Sequence, residues 1–203
     1  MPKTTLLLET IKIEEGIVHN LEYHQKRLDR STQALFKRKS NIVLYNCIKA
    51  PQKGLYRCRI IYDEKIHSIE YIPYIPKEIS SLKIITSTID YQYKYANRET
   101  LNILIASQPE TDDILIEKDG LITDTSIANI AFYTEGRWLT PTSPLLEGTV
   151  RAKLLDEGFL KKENITIDDL EKYSHVALMN AMIGFNILNN ITITDTKGKH
   201  HDY

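Results

Sequence analysis

The strongest constraint on the fold of this chain is an Asp119-Gly120 dipeptide set between two short runs rich in β-branched residues. Asp-Gly favours a two-residue hairpin turn because both turn positions need a positive φ, and residues 113–117 and 121–123 flank it. Three more pairs of runs have turn residues between them: 5–13 with 17–18, 55–62 with 66–72, and 128–133 with 137–139. The sequence therefore predicts several antiparallel hairpins.

Helices are predicted between these hairpins. Asn20 is a favourable N-cap for a helix ending near Lys37, and Asn97 is one for a helix with an apolar stripe. Further helices are predicted at 42–50, 148–156 and 168–170, and closing strands at 175–179, 185–188 and 191–193. This interleaving without βαβ repeats predicts an α+β fold.

Composition narrows the classes of protein to consider. The 203 residues are 42% hydrophobic and 26% charged, as in an ordinary globular protein. A net charge of −1 provides no basic field for nucleic acid, and two cysteines favour a reducing compartment. No apolar run reaches the roughly 18 residues that a membrane span needs, so the cytoplasm is the expected location.

Two prolines, Pro73 and Pro76, interrupt any regular element after the second long hairpin. They predict a hinge between a small N-terminal lobe, residues 1–75, and a larger C-terminal lobe, residues 76–203, which would carry Lys94. The basic tail at 197–201 is predicted to be a frayed terminus.

Lys94 is the first candidate for chemistry, since it lies between a β-rich run and a helix start among tyrosines. Most lysines are solvated surface charges, and that interpretation is the more common one for a single residue. A buried lysine has a lowered pKa, however, and its neutral amine forms Schiff bases or accepts protons.

Asp124 and Asn129 are the second pair of candidates. Asp124 is a carboxylate at a strand end, and it is equally interpretable as a turn residue. Asn129 lies between apolar neighbours, and a buried asparagine needs hydrogen-bond partners, so it is predicted to tie down the neighbouring loop.

Three features suit an anion. Gly148 opens a predicted helix, so the N–H groups of Thr149 and Val150 point forward and suit a phosphate. Arg27 is either a snorkelling arginine on a helix flank or a bidentate phosphate clamp. Asn180-Ala181 follows a buried strand, where a loop adds polar contacts. The sequence contains no histidine pair with metal-ligand spacing, no Gly-rich phosphate loop and no Gly-x-Ser-x-Gly elbow.

In this order the motifs resemble the class IV (fold type IV) pyridoxal-phosphate (PLP) aminotransferases and lyases. The resemblance runs from about residue 7 to residue 188 and rests on seven segments: Glu9-Thr10-Ile11-Lys12-Ile13 with Gly16, His24-Gln25-Lys26-Arg27-Leu28, Lys94-x-x-Asn97, Gly120-x-Ile122-Thr123-Asp124 followed by Asn129, Thr140-Pro141, Leu146-x-Gly148-x-x-Arg151, and Asn180-Ala181. It implies a two-lobed architecture like that of D-amino acid aminotransferase, with a truncated N-terminus that lacks the first strand, and a homodimer.

The resemblance also implies roles for single residues. Lys94 would be the Schiff-base lysine and proton carrier, and Asp124 stands where the family has a glutamate that keeps the pyridine nitrogen protonated. The other implied contacts to the cofactor are Arg27, Asn129, Gly148, Thr149, Val150 and Asn180. Those to the substrate are Arg98, Asn180 and Ala181. Asp124 is one methylene shorter than glutamate, and Tyr62-Asp63 replaces an Arg-Gly that is frequent in the family.

Lys94-x-x-Asn97-Arg98 is closer to the 4-amino-4-deoxychorismate lyases than to branched-chain aminotransferases, which have tyrosine after the asparagine. The resemblance therefore implies a lyase that releases p-aminobenzoate and pyruvate from a small carboxylate substrate, as a step toward folate. Two alternatives remain open. One is an aminotransferase acting on branched-chain or D-amino acids, and the other is a degenerate relative that binds PLP without catalysis.

Overall fold

The computed structural model describes residues 5–203, which divide into two compact units. The first unit ends at Pro76 and also includes Gln92–Asn97, whereas the second comprises Lys77–Tyr91 and Arg98–Tyr203. The boundary at Pro76 lies within a residue of the expected hinge. Lys94, however, belongs to the first unit and not to the second lobe, where the sequence placed it.

Backbone hydrogen bonds explain why Gln92–Asn97 belongs to the first unit. The N–H of Leu8 donates to the carbonyl of Lys94 at 3.0 Å, and the N–H of Ala96 donates to the carbonyl of Leu6 at 2.9 Å. The segment therefore lies along the first strand as a short extra edge. Local sequence rules do not predict this pairing, because Leu8 and Lys94 are 86 positions apart in the chain.

The first unit is a four-stranded antiparallel sheet with two helices. Its elements are β1 (Leu7–Glu14), β2 (Ile17–Val18), α1 (Leu21–Phe36), α2 (Leu44–Cys47), β3 (Leu55–Tyr62) and β4 (Ile66–Pro73), and the strand order is β2-β1-β3-β4. Leu7, Ile11 and Ile13 alternate along β1 and are fully buried, together with Leu28 of α1. The predicted hairpins and α1 are confirmed.

Two helix predictions in this unit need correction. Asn20 precedes α1, but its backbone is left-handed and its side chain makes no capping hydrogen bond. The helix predicted at 42–50 is a single turn, Leu44–Cys47, because Ile48 is already extended. The side chain of Gln25 meets the backbone there instead, since it accepts from the N–H of Leu44 at 2.9 Å and donates to the carbonyl of Ile42 at 2.8 Å.

The second unit is a ten-stranded mixed sheet with two helices and a 3₁₀ segment, Ile167–Lys172. Its elements are β5 (Ser81–Thr86), α3 (Glu99–Ala106), β6 (Asp113–Lys118), β7 (Leu121–Thr125), β8 (Asn129–Thr134), β9 (Arg137–Pro141), α4 (Thr149–Asp156), β10 (Leu160–Glu163), β11 (His175–Asn180), β12 (Gly184–Leu188), β13 (Thr192–Thr194) and β14 (His200–Asp202). The strand order is β10-β9-β8-β7-β6-β5-β13-β14, and β11 joins β12 to β8.

The turns of this unit confirm the local predictions. Asp119-Gly120 has φ values of 54° and 81°, and Glu135-Gly136 has 48° and 80°, as two-residue hairpin turns require. The predicted helix beginning at Gly148 is also confirmed as α4, which is followed by Gly158 in a left-handed conformation.

The C-terminal tail is not frayed, contrary to the sequence-based expectation. Residues His200–Asp202 form β14, which pairs with β13 and places His201 in a buried position. The carboxylate of Asp195 builds the connecting turn by accepting from the N–H groups of Lys197 and Lys199 at 2.7 and 2.9 Å. None of the helices in the described part of the chain has the length and apolar composition needed to cross a bilayer.

Candidate functional site

Lys94 has a backbone conformation that is unusual for a residue other than glycine. Its φ is 55°, in the left-handed region that most residues avoid, and its side chain is half-buried. The hydrogen bond from Leu8 and the bridge between Leu7 and Tyr95 hold it in place. Strain of this kind persists only where surrounding contacts impose it, and it concentrates at functional sites.

A buried ionic cluster occupies the same unit. Glu9 is fully buried on β1, and its carboxylate accepts from Nε of Arg27 at 2.8 Å and from Nη2 at 2.5 Å. His24 lies 2.5 Å from the same carboxylate through Nδ1. Burial by itself would raise the pKa of Glu9, but the charge and hydrogen bonds of Arg27, with those of His24, lower it to about 2.

Burial favours the neutral form of the His24 ring in this cluster. Burial lowers the pKa of His24, the Glu9 carboxylate opposes that effect, and the charges of Arg27 and Lys94 add to it. Since Glu9 is ionised, it can only accept, so the proton of the neutral imidazole is assigned to Nδ1. The cluster therefore holds one carboxylate, one guanidinium and one neutral ring.

These contacts exclude one of the two interpretations of Arg27. Its side chain is only 6% exposed and forked onto Glu9, so it is not a snorkelling surface arginine. The fork uses two of its five N–H donors, and the predicted phosphate role of Arg27 stays a prediction. Glu9 is a further residue of this cluster that the motifs did not single out for a role. Its position did indicate one, because it is a charged residue on the buried face of an alternating strand.

Asp124 is the central carboxylate of the second unit. It is 3% exposed on β7, and its Oδ1 accepts from Nδ2 of Asn129 at 2.7 Å, while its Oδ2 accepts from the N–H of Leu146 at 2.8 Å. Burial raises the pKa of Asp124 to about 7, against the lowering effect of these hydrogen bonds and of the Arg151 charge. Asp124 is therefore a buried strand residue and not a turn residue.

Asn129 ties down the neighbouring loop, as the sequence predicted. Besides Asp124, its Nδ2 donates to the carbonyl of Leu146 at 2.7 Å. Gly148 packs directly against the Asn129 side chain, because a Cβ added at Gly148 would lie 2.0 Å from Oδ1 of Asn129. α4 then begins with Thr149 and Val150, both buried, and their predicted contact to an anion stays a prediction.

Arg151 is a buried cation near this network, and its place in the Leu146-x-Gly148-x-x-Arg151 motif predicted no role for it. Its Nη2 donates to the carbonyl of Pro141 at 2.7 Å, and its Nε lies 3.4 Å from Oγ1 of Thr140. Burial lowers the pKa of Arg151, and the charges of Asp124 and Glu147 oppose that effect. Its charge acts on Asp124 without a direct ion pair to it.

Two of the residues predicted to contact substrate, Arg98 and Asn180, bind the connection between β7 and β8. Arg98 donates from Nη2 to the carbonyl of Ser126 at 2.9 Å, and its guanidinium lies 5.5 Å from the ring centre of Tyr91. Asn180 donates from Nδ2 to the carbonyl of Ile127 at 3.2 Å. Arg98 and Asn180 therefore hold adjacent carbonyls of one turn.

Asn180 also shapes its own loop. Its Oδ1 accepts from the N–H groups of Met182 and Ile183 at 2.9 and 3.1 Å, which fixes the turn containing Ala181. The phosphate and substrate roles predicted for Asn180 and Ala181 stay predictions. The helix cap predicted at Asn97 is wrong, because α3 begins at Glu99 with Arg98 in the cap position.

No group of three or more His, Cys, Asp or Glu side chains within residues 5–203 is arranged to hold a metal ion. The groups suited to chemistry are instead a strained lysine with an ionic cluster in one unit, and a buried carboxylate network in the other.

The chain belongs to the class IV aminotransferase family. The family model described as amino-transferase class IV matches residues 69–191, which is more than half of the chain. This is a family of PLP-dependent enzymes, so the resemblance seen in the motifs is confirmed at the level of the family.

Three similar proteins extend this finding. A crystal structure from Haemophilus somnus 129PT, named "putative 4-amino-4-deoxychorismate lyase", is 35% identical and covers 91% of this chain and 100% of its own, with a TM-score of 0.81. An "uncharacterized protein" of Haemophilus influenzae is 36% identical over 184 residues, which are 88% of this chain and 98% of that protein.

The third is a "putative aminodeoxychorismate lyase" of Schizosaccharomyces pombe. It is 31% identical over 129 residues, 57% of this chain and 54% of its own length, so the match spans about half of that relative. Together the family and the solved structure confirm the predicted α+β fold of the fold type IV class.

Proposed function

We propose that this chain is a PLP-dependent lyase that converts 4-amino-4-deoxychorismate into p-aminobenzoate and pyruvate. The observation that carries the enzymatic proposal is Lys94, a strained and half-buried lysine that the first strand holds in a left-handed backbone. The preference for a lyase is supported by the similar chain from Haemophilus somnus, which is matched over its full length and carries that name.

The residues of the second unit fit a PLP ring. The Asp124 carboxylate accepts hydrogen bonds from Asn129 and from the backbone N–H groups of Leu145 and Leu146, and a carboxylate offers about four lone-pair sites. Burial also disfavours the charge on Asp124, so a cationic N–H beside it would stabilise the ionised form. A protonated pyridine nitrogen is such a donor, and Asp124 would hold it.

N–H donors would hold the phosphate of the cofactor. We assign this role to Arg27, to the N–H groups of Thr149 and Val150 at the start of α4, and to Asn180. The fork on Glu9 fixes the plane of the Arg27 guanidinium, which supports a directed contact rather than a mobile charge.

Bound PLP supplies an electron sink that stabilises negative charge on the substrate carbon attached to nitrogen. Lys94 removes the proton from that carbon and returns a proton to the departing three-carbon enol, which becomes pyruvate. The two products contain all the atoms of the substrate, so no second substrate is needed. Arg98, Asn180 and Ala181 would orient the substrate carboxylates.

The first experiment mixes PLP-loaded protein with 4-amino-4-deoxychorismate and measures p-aminobenzoate and pyruvate together. We expect both products in equal amounts, and no product from Lys94→Ala. The matched control is Lys37→Ala, because Lys37 is also a lysine in the left-handed region, with φ 58°, at the end of α1. Unchanged activity in Lys94→Ala would refute the assignment of the lysine.

A second measurement separates the alternatives. Borohydride reduction followed by peptide mass mapping is expected to find pyridoxyl phosphate attached to Lys94. Attachment without product from aminodeoxychorismate would favour an aminotransferase, which requires a keto acid as second substrate. A protein that shows neither attachment nor product would be a degenerate relative.

We also propose that the chain acts in the cytoplasm as a homodimer, which is supported by its resemblance to a family of dimeric enzymes. One chain has a mass of 23.5 kDa, so a dimer is expected at twice that value in light scattering. A single species at the mass of one chain would contradict this assignment.

A further inference from the structure

Asn129 lies at the junction of three parts of the second unit: the end of β7, the loop before α4, and Gly148, the N-cap residue of α4. Its Nδ2 donates to Oδ1 of Asp124 and to the carbonyl of Leu146, both at 2.7 Å. A carboxamide nitrogen has two hydrogens, and these two contacts use both. The side chain of Asn129 therefore has no N–H donor left for a cofactor.

Gly148 closes the other side of the Asn129 side chain. A Cβ at this position would lie 2.0 Å from Oδ1 of Asn129 and 3.1 Å from Cγ, distances that side-chain atoms do not reach without displacement. The backbone of Gly148 has φ −70°, which any residue adopts. It is consequently the contact with Asn129, and not the conformation, that requires glycine.

Leu146 completes a closed ring of hydrogen bonds. Its N–H donates to Oδ2 of Asp124 at 2.8 Å, and its carbonyl accepts from Asn129. Each carboxylate oxygen of Asp124 is thus directed by a different partner. A displacement of Asn129 would release both the carboxylate and the loop that leads into α4.

We propose that Asn129, seated against Gly148, is a positioning residue that fixes the direction of the Asp124 carboxylate and links it to the start of α4. The inference rests on the proposed function, because Asp124 and the α4 N-terminus are the groups assigned there to the ring nitrogen and the phosphate. It replaces the predicted direct contact between Asn129 and the cofactor. In this role Asn129 sets the spacing between the two ends of the ligand.

The ionisation of Asp124 supports this role. The hydrogen bond from Asn129 lowers the pKa of Asp124 against the dominant raising effect of burial. Removing the carboxamide of Asn129 therefore changes the ionisation of Asp124 through the lost hydrogen bond and not through lost packing. A residue that served packing only would leave that titration unchanged.

The first test is an NMR titration of the cofactor-free protein with ¹³C-labelled aspartate carboxyl groups. In Asn129→Ala we expect the pKa of Asp124 to rise by roughly half to one pH unit, as the loss of one neutral hydrogen bond predicts. Asp124→Asn identifies the signal by its disappearance, and Asn186→Ala, at an exposed position of β12, is the control. An unchanged titration midpoint in Asn129→Ala would overturn the proposal.

The second test uses the contact with Gly148. Gly148→Ala is expected to weaken PLP binding by more than tenfold in the natural background. In the Asn129→Ala background, where the obstructing oxygen is absent, it should have little further effect. Equal losses in both backgrounds would contradict the proposed contact. If Asn129→Ala does not fold, Asn129→Ser provides a smaller change for the same cycle.

The two tests separate this inference from the proposed function. If PLP does not bind to the natural protein, the function fails while the NMR titration still tests the link between Asn129 and Asp124. The Gly148→Ala cycle is then read from unfolding of the second unit, followed by the fluorescence of Trp138, the single tryptophan. Additive effects in that measurement would equally overturn the inference.

Discussion

Glu9 and Arg27 form a two-pronged ion pair, with oxygen–nitrogen distances of 2.8 and 2.5 Å, inside the first unit. Neither side chain is more than 6% exposed. Two charges brought out of water in this way lose hydration, so their attraction adds little to stability over an apolar pair. Removing one partner, in contrast, leaves the other charge buried and uncompensated.

Glu9→Gln is therefore expected to destabilise the first unit by about 3–5 kcal/mol. Hydrogen exchange of amides in β1 and α1 measures this effect in the unit concerned. Glu70→Gln is the matched control, because Glu70 pairs with Arg59 at 2.9 Å on the surface. The control is expected to cost less than about 1 kcal/mol. Equal effects of the two variants would contradict the buried pair.

The ion pair of Glu9 and Arg27 also predicts how the unfolding free energy depends on pH in the acidic range. The pKa of Glu9 is about 2 in the folded protein and 4.5 as the reference value, so the ionised form is favoured by folding. Its contribution is complete above pH 4.5 and is lost as the pH falls toward 2. We expect the difference in unfolding free energy between the natural protein and Glu9→Gln to shrink across that window. A constant difference would show that the charge of Glu9 is irrelevant.

Asp124 predicts the opposite change of unfolding free energy with pH in the second unit. Its pKa rises from 3.8 to about 7, so the folded state binds more protons than the unfolded state between these values. The unfolding free energy should fall as the pH rises through this window, by at most about 1.4 kcal/mol per pH unit. Trp138 fluorescence in urea measures it, and Asp124→Asn should flatten the slope. An equally steep slope in that variant would point to another group.

The backbone of Lys94 predicts a difference between two substitutions that both remove the amine. Glycine adopts φ 55° without strain, so Lys94→Gly should be more stable than Lys94→Ala by about 1 kcal/mol. At Lys26, within α1, glycine should instead be less stable than alanine by a similar amount. Unfolding followed by circular dichroism compares the four variants. The same order at both positions would refute the strained backbone.

Arg151 is expected to act on Asp124 through its charge. Arg151→Met removes a buried cation, and the pKa of Asp124 should rise further in the NMR titration, because that charge lowers it. Lys153→Met on the same helix is the control, since Lys153 pairs loosely with Glu157 at 3.8 Å on the surface. An equal response to both changes would mean that net charge, and not the position of Arg151, controls the titration.

Local chemistry explains which parts of the fold were predictable. Turns such as Asp119-Gly120 and Glu135-Gly136 are encoded by two adjacent residues, because only a few residue types adopt positive φ cheaply. The beginning of α4 at Gly148 and its end before Gly158 follow from similar rules. Helix α2 was predicted too long, since contacts with the Gln25 side chain replace helical hydrogen bonds there.

Motif order identified the family to which the chain belongs, but it did not predict the contacts around the candidate residues. It selected Lys94, Arg27, Asp124 and Gly148 as candidates for the site. The partners of these residues lie far away in sequence, as in the pairing of Glu9 with Arg27 across 18 positions and of Leu146 with Asp124 across 22. No local rule selects such partners.

The sequence by itself therefore determined the hairpins, the limits of α1 and α4, and the family, because φ preferences, alternation and motif order are properties of neighbouring residues. Only the tertiary structure decided that Lys94 belongs with β1, that Glu9 neutralises Arg27, and that Gly148 makes room for Asn129. Those relationships depend on which strands pair and how closely side chains pack. Pairing and packing are set by burial over the whole unit and not by any single segment.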